Sequence, residues 1–562
     1  MTPWWEQLPE RLKYELEALR KAGIQFDQPV KDNLAGVLSL NVNLTHKGEK
    51  LKLRAEYPPF YPYVRFEVFA PDLNLDRHQH PFSKNLCLLG RDSSNWSVED
   101  TLAGILSVQL PKLFAAIAGQ NRIDVEGIEE QQAEPFSYYY EYSQNSIVYI
   151  DSDWEIDRTV TRGRFRLAIE SLSPFRARVV QIEDSNKQEL AHDKLDSGHN
   201  KTIEGRWIRT AAEIKQKSAE LILKSAEQLE SRLQEPRWRR VDHHEIDVIG
   251  ILYSEEIEWR SRADGWLFLV KVRRESPTNG FRRREKHDVY LVRTGRAGQS
   301  DLQSRAPELK SIQDKTIALV GAGALGAPVA IECARSGVSR LSIMDSDFFE
   351  PGNSVRWPLG FSAVGFLKTD ALKNFISQNY PSIEVKPFPY RLGAPISLGG
   401  PTLAQYDEFF DGAHLLLDCT AEVGVHYPLS ELARERKIPY LAIFGTPGLW
   451  GGQILRFIPG KTEGCWNCLC CWWEEKEIPF PRSDPNGEIA PVGCAEPSFT
   501  GANYNALQIS SFGMRLAADS LAPESEFADD LYDVSFNDDN GTKIPPTWAS
   551  YPIKRHPKCE NH

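Results

Sequence analysis

A short apolar run, Ile317 to Val320, ends in Gly321-Ala322-Gly323-Ala324-Leu325-Gly326, and no other feature constrains the fold of this chain as tightly. The run is strand-length, residues Ala324 to Ser336 carry a helical pattern, and a second apolar run, Leu341 to Met344, comes next. Strand, helix and strand in that order predict a βαβ unit with a parallel sheet. A glycine-rich turn at the first junction lets phosphates approach backbone N–H groups at the positive end of the helix. Gly321, Gly323 and Gly326 are therefore expected to bind a nucleotide. Asp345 closes the second strand near the ~20-residue offset at which a carboxylate takes ribose hydroxyls. The glycine turn by itself reads as a dinucleotide dehydrogenase.

At 562 residues the chain exceeds one hydrophobic core, and about 150 residues per domain predicts three or four domains. A net charge of -12 argues against a nucleic-acid footprint, and the basic runs Arg282 to Arg284 and Arg237 to Arg240 read as solvated faces. No apolar run approaches the ~18 residues of a membrane helix, and Trp4-Trp5-Glu6 is not the start of a leader, so the expected location is cytoplasmic. Nine unevenly placed cysteines argue against a disulfide framework and for reduced thiols. Cys333 and Cys419, in apolar settings, read as core.

The chain opens with a helix, because Leu8, Leu12, Leu16 and Leu19 share one face, and continues in a strand with Leu38, Leu40, Val42 and Leu44 alternating. A further strand is expected over Val64 to Val68, and a helix from Val98 to about Leu110 with Ser97 as its cap. Residues 139–301 alternate strand-like stretches with a charged helical stretch near Thr210 to Leu233 and carry no chemical motif. The expected fold class is multi-domain: an α+β domain over 1–138, an α+β linker domain over 139–301, and an α/β Rossmann-like domain over 302–562.

The residues just past the second strand overturn the dehydrogenase reading of the glycine turn. Asp345-Ser346-Asp347-Phe348-Phe349-Glu350-Pro351-Gly352-Asn353-Ser354-Val355-Arg356, with Lys368 downstream, resembles the ThiF/MoeB family, the adenylation domains of ubiquitin-activating enzymes. The resemblance implies ATP and Mg²⁺ as cofactors, Asp345 on ribose, and Asn353, Arg356 and Lys368 on the triphosphate. A carboxylate attacking a phosphate meets like-charge repulsion and needs such cations. A dehydrogenase has no use for them. The family's Asp-x-Thr-Asp-Asn, whose second aspartate serves Mg²⁺, reads Asp418-Cys419-Thr420-Ala421-Glu422 here. That leaves Asp418 and Glu422 as candidate magnesium ligands, Asp418 being preferred at the end of the strand Leu415 to Leu417.

Cys465-Trp466-Asn467-Cys468 has the spacing for two thiolates on one metal, and Cys559-Glu560-Asn561-His562 offers a second pair, together a Cys₃His zinc site. Cys470 and Cys471 are alternative ligands. Cys494, between turn formers, is the candidate for the family's thioester-forming cysteine; a zinc ligand or an ordinary thiol are the other readings.

Residues 1 to about 120 resemble ubiquitin-conjugating enzymes through the leading helix, Tyr61-Pro62, His80-Pro81, Asn85-Leu86-Cys87-Leu88 and Trp96. The resemblance makes Cys87 the acceptor of the acyl group. Phe82 stands where that family has an asparagine, and Asn85 and Asn95 are candidate replacements. A conjugating domain ahead of an activating domain resembles the bacterial fused enzymes of antiphage CBASS operons, which implies a cGAS-like nucleotidyltransferase as the activated partner. A dedicated ubiquitin-like or sulfur-carrier protein is the alternative, and an inactive scaffold the non-enzyme one. An amine, in the conjugation case a lysine on another molecule, would receive the acyl group, and ThiF/MoeB relatives imply a homodimer.

Overall fold

The computed structural model describes residues 2–46, 48–75, 78–90, 95–118, 146–193, 201–210, 219–258, 261–274, 288–298, 300, 305–490 and 498–560. The chain forms two compact units, one comprising Met1–Ile150, Trp154–His192 and Asn200–Arg296, the other mainly Ala297–His562.

The first unit begins with helices α1 (Trp4–Gln7) and α2 (Pro9–Lys21), followed by strands β1 (Gln25–Phe26), β2 (Val30–Asp32), β3 (Val37–His46), β4 (Glu49–Tyr57) and β5 (Glu67–Phe69), then α3 (Leu102–Ala118). The strands make one antiparallel sheet, and the inward set Leu38, Leu40 and Val42 packs with Leu19, Leu106 and Leu110. Glu15, 1% exposed, accepts hydrogen bonds from Arg11 (2.7 Å), the Leu102 N–H (3.1 Å), Tyr57 (3.4 Å) and Tyr61. Burial raises its pKa, and these partners make a charge there tolerable, joining α2, β4 and the start of α3. The helix expected from Val98 begins at Leu102: the Thr101 hydroxyl accepts from the Gly104 N–H (3.1 Å), while Ser97 closes a separate turn with Asp100.

Nine strands come next: β6 (Ile147–Ile150), β7 (Arg162–Leu172), β8 (Phe175–Asp184), β9 (Glu189–His192), β10 (Thr202–Thr210), β11 (Arg239–Val241), β12 (His244–Glu258), β13 (Ser261–Arg274) and β14 (Asp288–Arg296), with helix α4 (Ala219–Leu229) between β10 and β11. Because β10 pairs with both β7 and β12, seven of them close into a ring, which leaves them no free edges. Period 2 sorts the side chains. Phe165, Trp266, Phe268 and Val270 form one cluster, and Ile249, Ile251, Leu267 and Leu269 form another against Ile222 and Leu223 of α4. Among the described residues, the segment read as α+β from its sequence is thus a strand ring with one α-helix.

The second unit holds β15 (Thr316–Val320), α5 (Gly326–Arg335), β16 (Arg340–Met344), α6 (Lys368–Asn379), β17 (Glu384–Phe388), α7 (Leu403–Phe409), β18 (Leu415–Asp418), α8 (Val423–Arg436), β19 (Tyr440–Gly445), β20 (Gly451–Phe457), α9 (Trp466–Glu474), β21 (Glu488–Ile489), β22 (Ser498–Phe499), α10 (Asn503–Ser520), β23 (Leu531–Asn537) and β24 (Lys543–Tyr551). Its main sheet runs β17-β16-β15-β18-β19-β20-β23-β24, parallel through β19 and antiparallel beyond. Helices α5, α6 and α10 cover one face and α7, α8 and α9 the other, which is why β15 and β18 are apolar at nearly every position. Strand order reverses at β15, so a crevice opens beyond the carboxyl ends of β15, β16 and β18. Gly321, Asp345 and Asp418 stand at those ends. Among the described residues, no helix is long and apolar enough to cross a membrane.

Candidate functional site

The turn after β15 is glycine for two physical reasons. Gly321 has φ +84°, and a Cβ there would lie 2.8 Å from the Cys419 backbone. A Cβ on Gly326 would lie 1.8 Å from the Gly321 carbonyl oxygen, so the helix could not start so close. At Gly323 a Cβ would meet nothing within 4 Å, so the turn is open beside the first turn of α5, where backbone N–H groups favour an anion. Asp345 fixes this turn: its carboxylate accepts from the Ala322 N–H (2.6 Å) and the Asp347 N–H (2.8 Å). Burial raises its pKa, against the pull of Lys368 and the two N–H groups. Trp357 completes the cradle by donating Nε1–H to the Ala322 carbonyl (2.8 Å).

Lys368 starts α6, where its N–H meets the Asp347 carbonyl (2.9 Å) and its ammonium the Asp347 carboxylate (2.7 Å). The loop from 345 to 367 folds back through the Phe348–Leu367 bridge to make this meeting possible. Asn353 accepts from the Glu350 N–H (2.9 Å) and caps the short turn Pro351–Val355, at whose end Arg356 sits. The guanidinium of Arg356 donates to the Phe499 carbonyl and the Ser498 hydroxyl (3.2 Å). The structure thus gathers Gly321, Gly323, Gly326, Asp345, Asn353, Arg356 and Lys368 in the loops beyond β15 and β16. Asp347, Trp357, Ser498 and Phe499 were not expected from sequence, and only Asp347, inside the acidic motif, carried a local signal.

The preference for Asp418 as a magnesium ligand is corrected by its surroundings. Its carboxylate is 0% exposed, with one oxygen accepting from the Thr420 N–H (3.1 Å) and hydroxyl (2.7 Å) and the other meeting His426 Nδ1 and the Tyr440 hydroxyl, both at 2.8 Å. A carboxylate so enclosed shapes the strand end and has no oxygen left for an ion. Glu422, exposed at the start of α8, keeps that option.

Cys465, Cys468 and Cys559 converge, Cys465 Sγ lying 3.8 Å from Cys468 Sγ and 3.6 Å from Cys559 Sγ. Thiolates about 2.3 Å from one tetrahedral zinc stand about 3.8 Å apart, so the spacing fits that ion. Burial pushes the Cys465 thiol up to about 12, the cost a cation would remove. The His556 N–H donates to Cys468 Sγ (3.3 Å). His562, the fourth ligand expected from sequence, and Cys494 lie outside the described residues.

Cys87 is exposed, and its N–H is held by the His78 carbonyl (2.8 Å). The preceding turn is built on His80, whose Nδ1 accepts from the Phe82 (3.2 Å) and Ser83 (3.0 Å) N–H groups. Phe82 is half-buried and packs against the cluster under α4. The Trp96 indole donates to the Pro62 carbonyl (2.8 Å), which ties together two of the motifs read from sequence. Asn85 makes an isolated bridge to Phe69, two residues ahead of Cys87, and accepts at its Oδ1 from the Ser83 hydroxyl (2.6 Å). Asn95 is exposed.

Residues 299–530 match the ThiF family, and residues 14–149 match the Prokaryotic E2 family B. Two proteins of Sinorhizobium fredii are similar over nearly the whole chain: the uncharacterized protein y4oA is 29% identical over 99% of this chain and 97% of its own length. The uncharacterized protein y4qC is 30% identical over 93% of this chain and 92% of its own length. The ATP-dependent ubiquitin transferase-like protein Cap2 of Enterobacter hormaechei is 29% identical over a shorter stretch, 24% of this chain and 22% of that protein. The chain therefore belongs to the same family as y4qC and is a fused protein, in which an E2-like domain precedes an E1-like adenylation domain of the ThiF family.

Proposed function

We propose that this chain uses ATP to activate the C-terminal carboxylate of a partner protein and passes the acyl group from thiol to thiol towards an amine. The observation that carries this reading is the exposed Cys87 of an E2-like domain on the same chain as a ThiF domain whose glycine turn, open at Gly323, is fixed by Asp345 and followed by Asn353, Arg356 and Lys368. The partner's carboxylate attacks the α-phosphate of ATP and expels pyrophosphate, giving an acyl-adenylate. The Cys494 thiolate attacks its carbonyl and expels AMP; the Cys87 thiolate then displaces Cys494; an amine finally displaces Cys87, losing a proton. In this scheme Asp345 holds ribose, the Gly321-to-Gly326 turn and Asn353 hold phosphate oxygens, and Arg356 and Lys368 offset the charge gathering on them. Mg²⁺ would be held by Glu422 and the phosphates, as a hard cation that takes one or two protein carboxylates. A zinc ion on Cys465, Cys468, Cys559 and His562 would brace the domain. Asn85, two residues before Cys87 in the chain, would polarise the thioester carbonyl.

The partner would be a cGAS-like nucleotidyltransferase of an antiphage system, a reading supported by the order of domains and the similarity to Cap2. Exposed Phe348, Val355, Phe361 and Phe366 on the loop beside the nucleotide site support a face made to meet another protein surface, such as a second subunit. With ATP, Mg²⁺ and such a partner, the protein should release pyrophosphate, and Arg356→Ala or Lys368→Ala should abolish the release. Cys494→Ala should still release pyrophosphate but load no thioester, whereas Cys87→Ala should accumulate a reducible thioester on Cys494. Conjugation at the wild-type rate by Cys87→Ala would reduce the N-terminal domain to a docking module.

A further inference from the structure

Arg356 and strand β22 are 142 residues apart at their nearest hydrogen bond, yet three contacts join them. One guanidinium nitrogen donates to the Phe499 carbonyl, the other terminal nitrogen donates to the Ser498 hydroxyl at 3.2 Å, and the guanidinium carbon stands 5.2 Å over the Phe499 ring. Strand β22 is itself held from behind. It pairs with β21 through Glu488–Phe499 and Ile489–Ser498, and the Thr500 N–H and hydroxyl both donate to the Gly487 carbonyl, at 2.6 and 3.1 Å. A guanidinium carries five N–H donors in one plane, so two bonds to β22 leave three. The hairpin therefore orients the fork without exhausting it.

We propose that Ser498 and Phe499 are positioning residues for Arg356, aiming its remaining N–H groups at the nucleotide, and that bound nucleotide in turn stiffens the β21–β22 hairpin. The proposal rests on the reading that Arg356 meets the triphosphate. An unanchored arginine must lose the freedom of a long side chain when phosphate binds, whereas an anchored one has lost it already, so the anchor favours binding. Coupling between two equilibria is reciprocal: if an ordered hairpin tightens nucleotide binding, nucleotide must favour the ordered hairpin by the same factor. Strand β22 comes directly after the segment that contains Cys494, so one arginine would link nucleotide occupancy to the strand that leads out of the thiol segment.

The test uses the full chain with Mg·ATP, combining calorimetric binding with hydrogen exchange at the Thr500 amide. In the wild type, ATP should slow that exchange. Ser498→Ala/Phe499→Ala, which loses the hydroxyl and the ring face but keeps the carbonyl, should bind ATP about fivefold more weakly and show a correspondingly smaller slowing. Phe499→Leu keeps apolar bulk for the hairpin and should show part of the same loss. Arg356→Lys keeps the charge without the fork, and should lose the slowing altogether. Arg356→Ala separates the two claims. Unchanged ATP affinity in it refutes the phosphate contact, and this proposal with it. Lost affinity there, together with wild-type affinity in the double variant, leaves the phosphate contact standing and overturns only the positioning role.

Discussion

Asp533 makes the stability of the second unit depend on pH in a direction opposite to that of a salt-bridged carboxylate. It sits on β23 directly opposite Gln453 of β20, 8% exposed against 0% for Gln453. Its carboxyl and the Gln453 amide face each other inside the sheet, away from solvent. Burial pushes the carboxyl from 3.8 up to about 7, and only the nearby Gln453 draws it back. The folded protein therefore holds this proton across a window in which the unfolded chain has released it. Stability contributed by the protonated form is complete below the unfolded value, falls as pH rises towards about 7, and levels off above. The whole loss is about 4 kcal/mol, of which about 2.5 kcal/mol falls between pH 5 and pH 8. Asp533→Asn is neutral throughout and similar in shape, so its stability should not carry this term. By scanning calorimetry the melting temperature of the variant relative to wild type should rise by about 5–10 °C from pH 5 to pH 8. A difference that stays flat between those two pH values would refute the assignment of a buried, proton-retaining carboxyl.

Two other predictions concern structure. In the strand ring, Arg206 makes a two-oxygen pair with Asp247 (3.0 and 2.7 Å), both buried, and also donates to the Arg232 and Glu235 carbonyls. Asp247→Ala should cost about 3–5 kcal/mol in denaturant unfolding, more than replacing both partners by apolar residues, because it strands a buried charge. Purified protein should carry about one zinc per chain by metal analysis, and Cys468→Ser should lower both metal content and melting temperature; a metal-free, fully folded protein would sink the site.

What could be read from sequence divides by how local the cause is. The βαβ unit was legible because strand, glycine turn and helix lie within about thirty residues, and because Gly321 and Gly326 are forced by contacts with their own neighbourhood and with Cys419. The leading helix and β3 were legible from periodicity alone. The start of α3 was not, since Ser97 is by type the better cap than Thr101, yet Asp100 holds the Ser97 N–H in a separate turn and Arg11, 89 residues away, donates to the Asp100 carbonyl. The strand ring was invisible as a ring, because the parallel β10–β12 pairing that closes it leaves no mark in either strand. The same limit applies at the site. Sequence supplied Asp418, Arg356 and Lys368, but their partners His426, Tyr440, Ser498 and Phe499 arrive from other elements, and those partners determine which side chains remain open to a ligand.

The two departures from family pattern bear differently on whether such a site is functional. Phe82 replaces a polar side chain with one that is half-buried on the cluster under α4, so the substitution brings packing of its own and leaves the Cys87 thiol exposed. Ala421 is another matter. It holds φ +57°, a conformation that costs an alanine of order 1 kcal/mol and that asparagine or aspartate adopts more easily. The turn is kept in that shape nonetheless, with Asp418 bonded to Thr420, His426 and Tyr440 on one side and Glu422 exposed on the other. In the proposed scheme Glu422, one residue later and exposed, stands in for the missing aspartate. Restoring the aspartate at 421 while removing Glu422 should then leave magnesium-dependent adenylation standing, whereas removing Glu422 alone should not.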